Sequence, residues 1–228
     1  MNISFKEWAI YYIEGGRKII PCKKNARVPN TLHGYKDASS SLEQIEAWWE
    51  LNPNDNIGLV TGKDTNLVVI DVDVKDNARG MESLEQLEKE CGQFDTLMVH
   101  SPSGGRHYYF EYPQGDYDIR CRVGVRDGID IRANGGHIVA PGSIIDGNPY
   151  QFEDQDKEIA ELPDELLKIL TTQSVKPKSI SRNQVYHASQ QSSLIGIKKG
   201  YRDVTIYKHS CILRKNDVPY GVAESQVL

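Results

Sequence analysis

The 228 residues carry 27 Lys and Arg against 32 Asp and Glu, a formal net charge of −5, and 39% of them are hydrophobic. That is enough for a full core in one domain with an appendage, or in two small domains, and no apolar run is long enough to span a bilayer. The start, Met-Asn-Ile-Ser-Phe, lacks the basic-then-apolar layout of a secretory signal. Cys22, Cys91, Cys121 and Cys211 form no Cys-x-x-Cys pair. A cytoplasmic, reducing setting is expected, with no disulfide framework and no zinc.

The charge is unevenly spread. Residues 173–228 hold nine cations against three carboxylates, whereas residues 1–172 hold eighteen against twenty-nine. A basic tail behind an acidic body is compatible with a polyanionic partner.

In chain order, Ser4-Phe-Lys-Glu7 is a capping box, and Phe5, Trp8, Ala9, Tyr12 and Ile13 follow at helical spacing up to Gly15-Gly16. Residues 18–22 predict a strand. Arg17, Lys18, Lys23, Lys24 and Arg27 crowd around it, as either a solvated face or a phosphate-contacting edge. A second capping box, Ser41-Leu-Glu-Gln44, opens a helix that runs to Pro53, with Trp48 and Trp49 as core. Strands are predicted over 56–61 and 67–74, a helix over 80–91, and strands over 96–101 and 106–112. Arg120, Arg122 and Arg126 fall in a polar loop. Residues 128–132 and 137–140 predict a hairpin through Asn134-Gly-Gly136. A short strand over 150–152 and a helix over 163–170 close a body of residues 1–170. A Ser-, Gln- and Lys-rich linker over 171–195 and a helical segment over 196–228 are expected to follow.

The most informative stretch is 66–75, Asn-Leu-Val-Val-Ile-Asp-Val-Asp-Val-Lys. Leu67–Ile70 reads as a strand buried on both faces. Asp71 and Asp73, two apart, project from one side of it. Two carboxylates so close repel unless a proton or cation lies between them, and a divalent ion is the usual answer; a solvent-exposed strand end is the other. Further on, Asp130 and Arg132 share one face of Gly-Ile-Asp-Ile-Arg. His107 follows Ser101-Pro-Ser-Gly-Gly-Arg106, where paired glycines let backbone amides approach a phosphate and a histidine can donate to it. His137 reads as a structural strand residue, and Arg106 lies on the opposite strand face from His107.

Taken in order, Asp-x-Asp, Ser-Pro-Ser-Gly-Gly-x-His, Gly-Ile-Asp-Ile-Arg and Ala-Pro-Gly-Ser resemble the bifunctional primase–polymerase domain of the archaeo-eukaryotic primase superfamily. Lys18-Ile-Ile-Pro21, Trp48-Trp49, Asn56-Ile-Gly58 and Thr61-Gly62 extend the resemblance, which covers roughly residues 5–165. The chain departs from the family in having Arg27-Val28-Pro29 for a Lys-containing segment, Pro141-Gly142-Ser143 for Pro-Pro-Ser, and no cysteine-bearing zinc stem.

The resemblance implies an α+β fold, an RRM-like catalytic half packed on an N-terminal α/β half with the site between them. It implies a template-directed DNA primase/polymerase of plasmid- or phage-type replication. Asp71, Asp73 and Asp130 would hold two divalent ions, Mg²⁺ or Mn²⁺, and count with His107 as catalytic. Ser103, Gly104, Gly105, His107, Arg132 and Ser143 would bind the nucleotide. The implied partners are a single-stranded DNA template, a primer, nucleoside triphosphates and a replicative helicase, with no membrane. Gly200-Tyr-Arg-Asp203 looks like the opening of the helical domain that follows such catalytic domains.

Other classes compete for the same residues. Asp71-Val-Asp73-Val74 satisfies the aspartate-nucleophile signature of haloacid-dehalogenase-like phosphatases, but only one later acid is on offer. A manganese-dependent glycosyltransferase would leave the Ser-Gly-Gly-x-His loop unexplained. A catalytically silent single-stranded nucleic-acid-binding module would predict loss of a carboxylate or of His107, and all four are present.

Overall fold

The structure, a computed structural model, describes residues 3–172. The helical segment expected over 196–228, and all but the first two residues of the expected linker, lie outside the described residues. Helix α1 (Phe5–Glu14) begins at the foreseen capping box: Ser4 Oγ accepts from Glu7 N, and the Glu7 carboxylate takes the Ser4 N–H. Strand β1 (Ile19–Cys22), helix α2 (Leu42–Leu51, capped by Ser41) and strand β2 (Asn56–Thr61) follow. Next come β3 (Val68–Val72), α3 (Gly80–Cys91), β4 (Met98–His100) and β5 (Arg106–Glu111), a split β-α-β unit. The remainder is β6 (Arg122–Arg126), β7 (Ile129–Arg132), β8 (Gly136–Val139), a small hairpin β9 (Ile144–Ile145) and β10 (Asn148–Pro149), then β11 (Gln151–Phe152), β12 (Ala160–Glu161) and α4 (Asp164–Thr172).

The large sheet runs β11-β4-β5-β3-β7-β6, with β12 beside β5; a smaller one runs β1-β2-β8. β3 lies inside the large sheet, and its alternation serves two cores. Val68, Ile70 and Val72 face Leu84 and Leu87 of α3 and Leu166 and Leu170 of α4. Leu67 and Val69 face the other way, onto Ala9 and Tyr12 of α1, Ile45 and Trp49 of α2, and Ile57, Leu59 and Ile138 of the small sheet. Such two-sided burial explains the unbroken apolar run. The fold is the expected α+β one, an RRM-like half on an N-terminal α/β half.

Two local expectations are corrected. Residues 128–132 and 137–140 do not form a hairpin, because β7 has β3 on one edge and β6 on the other, leaving no edge for β8. β8 instead joins β2 in the other sheet. Gly136 makes the crossing possible, since a Cβ there would overlap Cys121 Sγ. The arginine-rich loop is in part strand β6, an irregular edge whose register shifts between Arg122 and Arg126. Its charged side chains suit a sheet edge and hide the strand from an apolar-pattern reading.

The return crossing lies alongside. Gly62 and Leu67 exchange both backbone hydrogen bonds, at 2.7 and 3.1 Å, as the chain passes from β2 to β3. Thr61 Oγ1 donates to Ala133 O at 2.8 Å, pinning the two crossings together.

Candidate active site

Sheet register builds the site. Asp71 on β3 stands directly opposite His107 on β5 and opposite Asp130 on β7. Direct neighbours in an antiparallel sheet lie about 5 Å apart, so Asp130, Asp71 and His107 form one row across three strands. Asp73, two residues beyond Asp71, extends the row on the same side. One carboxylate oxygen from each of Asp71, Asp73 and Asp130 falls within 4.8 Å of the others.

A cavity of about 160 Å³ opens at the Asp71–His107 end of this row, walled by Asp71, Asp73, Ser101, His107, Arg132, Arg27, His137 and Tyr150 among others. Arg132 Nε and Nη2 donate to Asp71 Oδ2 at 3.3 and 3.0 Å, and Nη2 also donates to Asp130 Oδ2 at 2.9 Å. Asp130 Oδ1 accepts from Gly124 N at 2.8 Å. His107 is 3% exposed; its Nε2 lies 3.4 Å from Asp71 Oδ1, and its Nδ1 is buried without a partner among the described residues. The Tyr150 ring lies 5.6 Å from the His107 ring.

The carboxylates are in unequal electrostatic positions. Burial would raise Asp71, but the hydrogen bond and charge of His107 and the Arg132 guanidinium overcome it and hold Asp71 down at about 2. Asp73 moves up, through burial first and then the charges of Asp71 and Asp130, against the pull of Lys75 and Arg27. Burial holds His137 below the ordinary histidine range, although its ring bonds to Arg27 O at 3.0 Å.

A divalent ion fits this donor set. Three carboxylates offer oxygen alone, the chemistry of Mg²⁺ and Mn²⁺ rather than of a thiolate- or imidazole-seeking metal. The carboxylate repulsion that adds to burial in lifting Asp73 is relieved by a cation.

Of the expected nucleotide-binding residues, His107 and Arg132 wall the cavity. The 101–105 loop is pressed against the end of β3, and a Cβ on Gly105 would overlap Val72 O. Gly104 N donates to Ser101 O at 3.0 Å, so this amide is spent within the loop. It is Ser101 that reaches the cavity, with Ser103 Oγ 3.1 Å from Ser101 Oγ. Ser143 is a correction. It is fully buried, its hydroxyl accepting from Ile57 N at 2.9 Å and donating to Ile57 O, so it ties the 141–143 turn to β2 and does not face the cavity. Arg106 is turned away as expected, bonding Tyr108 Oη at 3.3 Å.

Arg27, His137, Tyr150 and Ser101 were not foreseen as site residues. Arg27 belongs to the basic run for which a phosphate-contacting edge was one alternative. The others carried no separate signal, since a strand His, a short-strand Tyr and a turn Ser are common in structural roles.

The family model for the bifunctional DNA primase/polymerase N-terminal domain matches residues 9–165. The chain belongs to that family. Membership makes it a nucleotidyltransferase-type domain that binds DNA and nucleotides. A comparison with curated proteins found no match. Among the described residues, no helix is long and apolar enough to cross a membrane.

Proposed function

We propose that this chain is a template-directed DNA primase/polymerase that joins nucleoside triphosphates in the replication of a mobile element. The observation that carries the proposal is the single row Asp130–Asp71–His107, with Asp73 beside it, of which Asp71, Asp73 and His107 line a cavity edged by Arg27 and Arg132. Asp71, Asp73 and Asp130 are the residues that would hold divalent ions. Such ions, when bound, lower the pKa of an attacking hydroxyl and neutralise charge on a leaving pyrophosphate.

The chain's own residues supply position and charge, which is most of what phosphoryl transfer asks of a protein. Arg132 fixes the Asp71 and Asp130 side chains relative to each other. His107 holds Nε2 toward Asp71, which orients the ring on β5 and keeps it on the cavity wall, where it would meet a nucleotide phosphate. Arg27 brings a permanent positive charge to the cavity wall, where a triphosphate needs it. Tyr150 packs on the His107 ring and limits its rotation. Apolar Ile138 and Val139 in the lining reduce water access and strengthen these interactions.

The test is extension of a labelled primer on a DNA template with dNTPs and Mg²⁺ or Mn²⁺, with a parallel reaction lacking primer. Metal-dependent products that fall to background in Asp71→Ala/Asp73→Ala protein support the proposal, and unprimed products add primase activity. DNA retained with no product from the native chain would replace it with a binding module.

A further inference from the structure

We propose that the groove next to the catalytic cavity carries the sugar-phosphate backbone of a DNA strand, one to two nucleotides from the reacting phosphate. The inference rests on the polymerase reading above and locates its nucleic-acid track. Ile129, Ile131 and Ala133 point into the α3–α4 core, so Asp130, Arg132 and Asn134 share the opposite face. Arg132 walls the catalytic cavity and Asn134 walls the groove. The step between them is about 7 Å along the chain, which makes the two spaces neighbours on one face.

The groove, about 550 Å³, is edged by Lys18, Lys36, Lys63 and Arg120. Its carboxylates are Asp64 and Asp118, and Asp118 is taken by Arg120 at 2.8 Å and by the Asn134 amide at 3.0 Å. Lys63 Nζ donates to Gly115 O at 3.2 Å. The ammonium groups of Lys18 and Lys36 are exposed and make no hydrogen bond or ion pair among the described residues. Tyr35 stands beside Lys36 on the same wall, a half-exposed ring of the kind on which bases stack.

This charge is concentrated against the grain of the molecule. Residues 1–172 hold eighteen cations and twenty-nine carboxylates, yet residues 15–41 hold six cations and one carboxylate. That one segment sends Arg27 into the catalytic cavity and Tyr35 and Lys36 into the groove. A polyanion that passes Arg27 and Arg132 in the first and continues along the second meets Lys18, Lys36, Lys63 and Arg120 there.

The experiment uses the full chain with fluorescein-labelled DNA, read by anisotropy across a salt series. Three probes are used: a single strand, a primer–template with a long 5′ overhang, and a blunt duplex. Lys18→Glu/Lys36→Glu protein is expected to bind DNA at least tenfold more weakly, with a salt slope smaller by about one to two. Its melting temperature and its affinity for a fluorescent dNTP in Mn²⁺ should match those of the native chain. A loss confined to the single strand and the overhang places the template in the groove; a loss extending to the blunt duplex places the primer there. Unchanged DNA affinity and slope, beside a native chain that still extends primers, overturn the groove alone. A parallel loss of dNTP binding also overturns it, as a general disturbance. A native chain that binds neither DNA nor nucleotide overturns the polymerase reading, and the groove with it.

Discussion

Arg132 plays the part of a counter-ion built into the chain. Its guanidinium lies across Asp71 and Asp130, so the two carboxylates do not depend on a bound ion for neutralisation. A divalent ion seated on the same pair competes with it or shares it. Replacing Arg132 by Gln should cost about 1–3 kcal/mol in chelator, the penalty of leaving buried charged partners unsatisfied. Added Mn²⁺ should then raise the melting temperature of the variant more than that of the native protein. Equal shifts in the two melts would show that guanidinium and ion do not compete.

Asp71 itself predicts an acid limb. Its pKa, about 2 in the folded chain, lies below the value of roughly 3.9 for an unfolded aspartate. The folded state therefore binds protons less readily. The resulting stability, about 2–3 kcal/mol, is present above roughly pH 5 and is lost as pH falls through the folded pKa. Asp73 is shifted upward and works in the opposite direction, so the two limbs partly cancel in the native chain. In chelator, Asp71→Asn should flatten the loss of unfolding free energy between pH 5 and pH 2. An unaltered acid limb would place its origin elsewhere.

At the scale of elements, the legible parts of the fold are those whose local chemistry has one outcome. The Ser4 capping box, the unbroken run from Leu67 to Ile70 and the alternation around Asp130 each fixed a local conformation that the structure keeps. The metal-ligand candidates were legible for the same reason, because period-two geometry places Asp71 and Asp73 on one side whatever the partner strand. Partner choice was not legible. Asn134-Gly-Gly136 has the residues of a tight turn, and nothing within it reveals that both edges of β7 are taken. Ser143 followed a motif whose hydroxyl the fold uses to hold β2, and Arg27 reaches the cavity only through the path of a long loop.

The sheet crossing gives a prediction at this scale. Cys121 Sγ accepts from Ala133 N at 3.2 Å and occupies the space above Gly136. Gly136→Ala should destabilise by about 1–3 kcal/mol through overpacking. Adding Cys121→Ala removes the obstructing sulfur, so the double variant should lose less than the sum of the two single losses. Additive losses in urea denaturation would mean that the positions do not meet.

Across the whole body, the two cores share one wall. β3 supplies Val68 and Ile70 to one and Val69, with Leu67 just before the strand, to the other. Tyr12 Oη donates to Pro141 O at 2.9 Å, fastening α1 to the turn after β8. The halves should therefore unfold together. Far-UV circular dichroism and tryptophan fluorescence, the latter dominated by the α1–α2 side where Trp8, Trp48 and Trp49 lie, should give coincident melts. Two separated transitions would mean that each core stands without the other.

The row Asp130–Asp71–His107 is assembled by backbone pairing, one group per strand, so its spacing is set by the ladder. A strand cannot move along its neighbour in small increments: a slip of one residue turns every side chain to the opposite face, and a slip of two carries it a full repeat away. The reactive geometry consequently has no partly loosened form reachable by sliding. It behaves like a combination lock, either aligned on all three strands or not aligned at all, and damage to the sheet should abolish activity in steps.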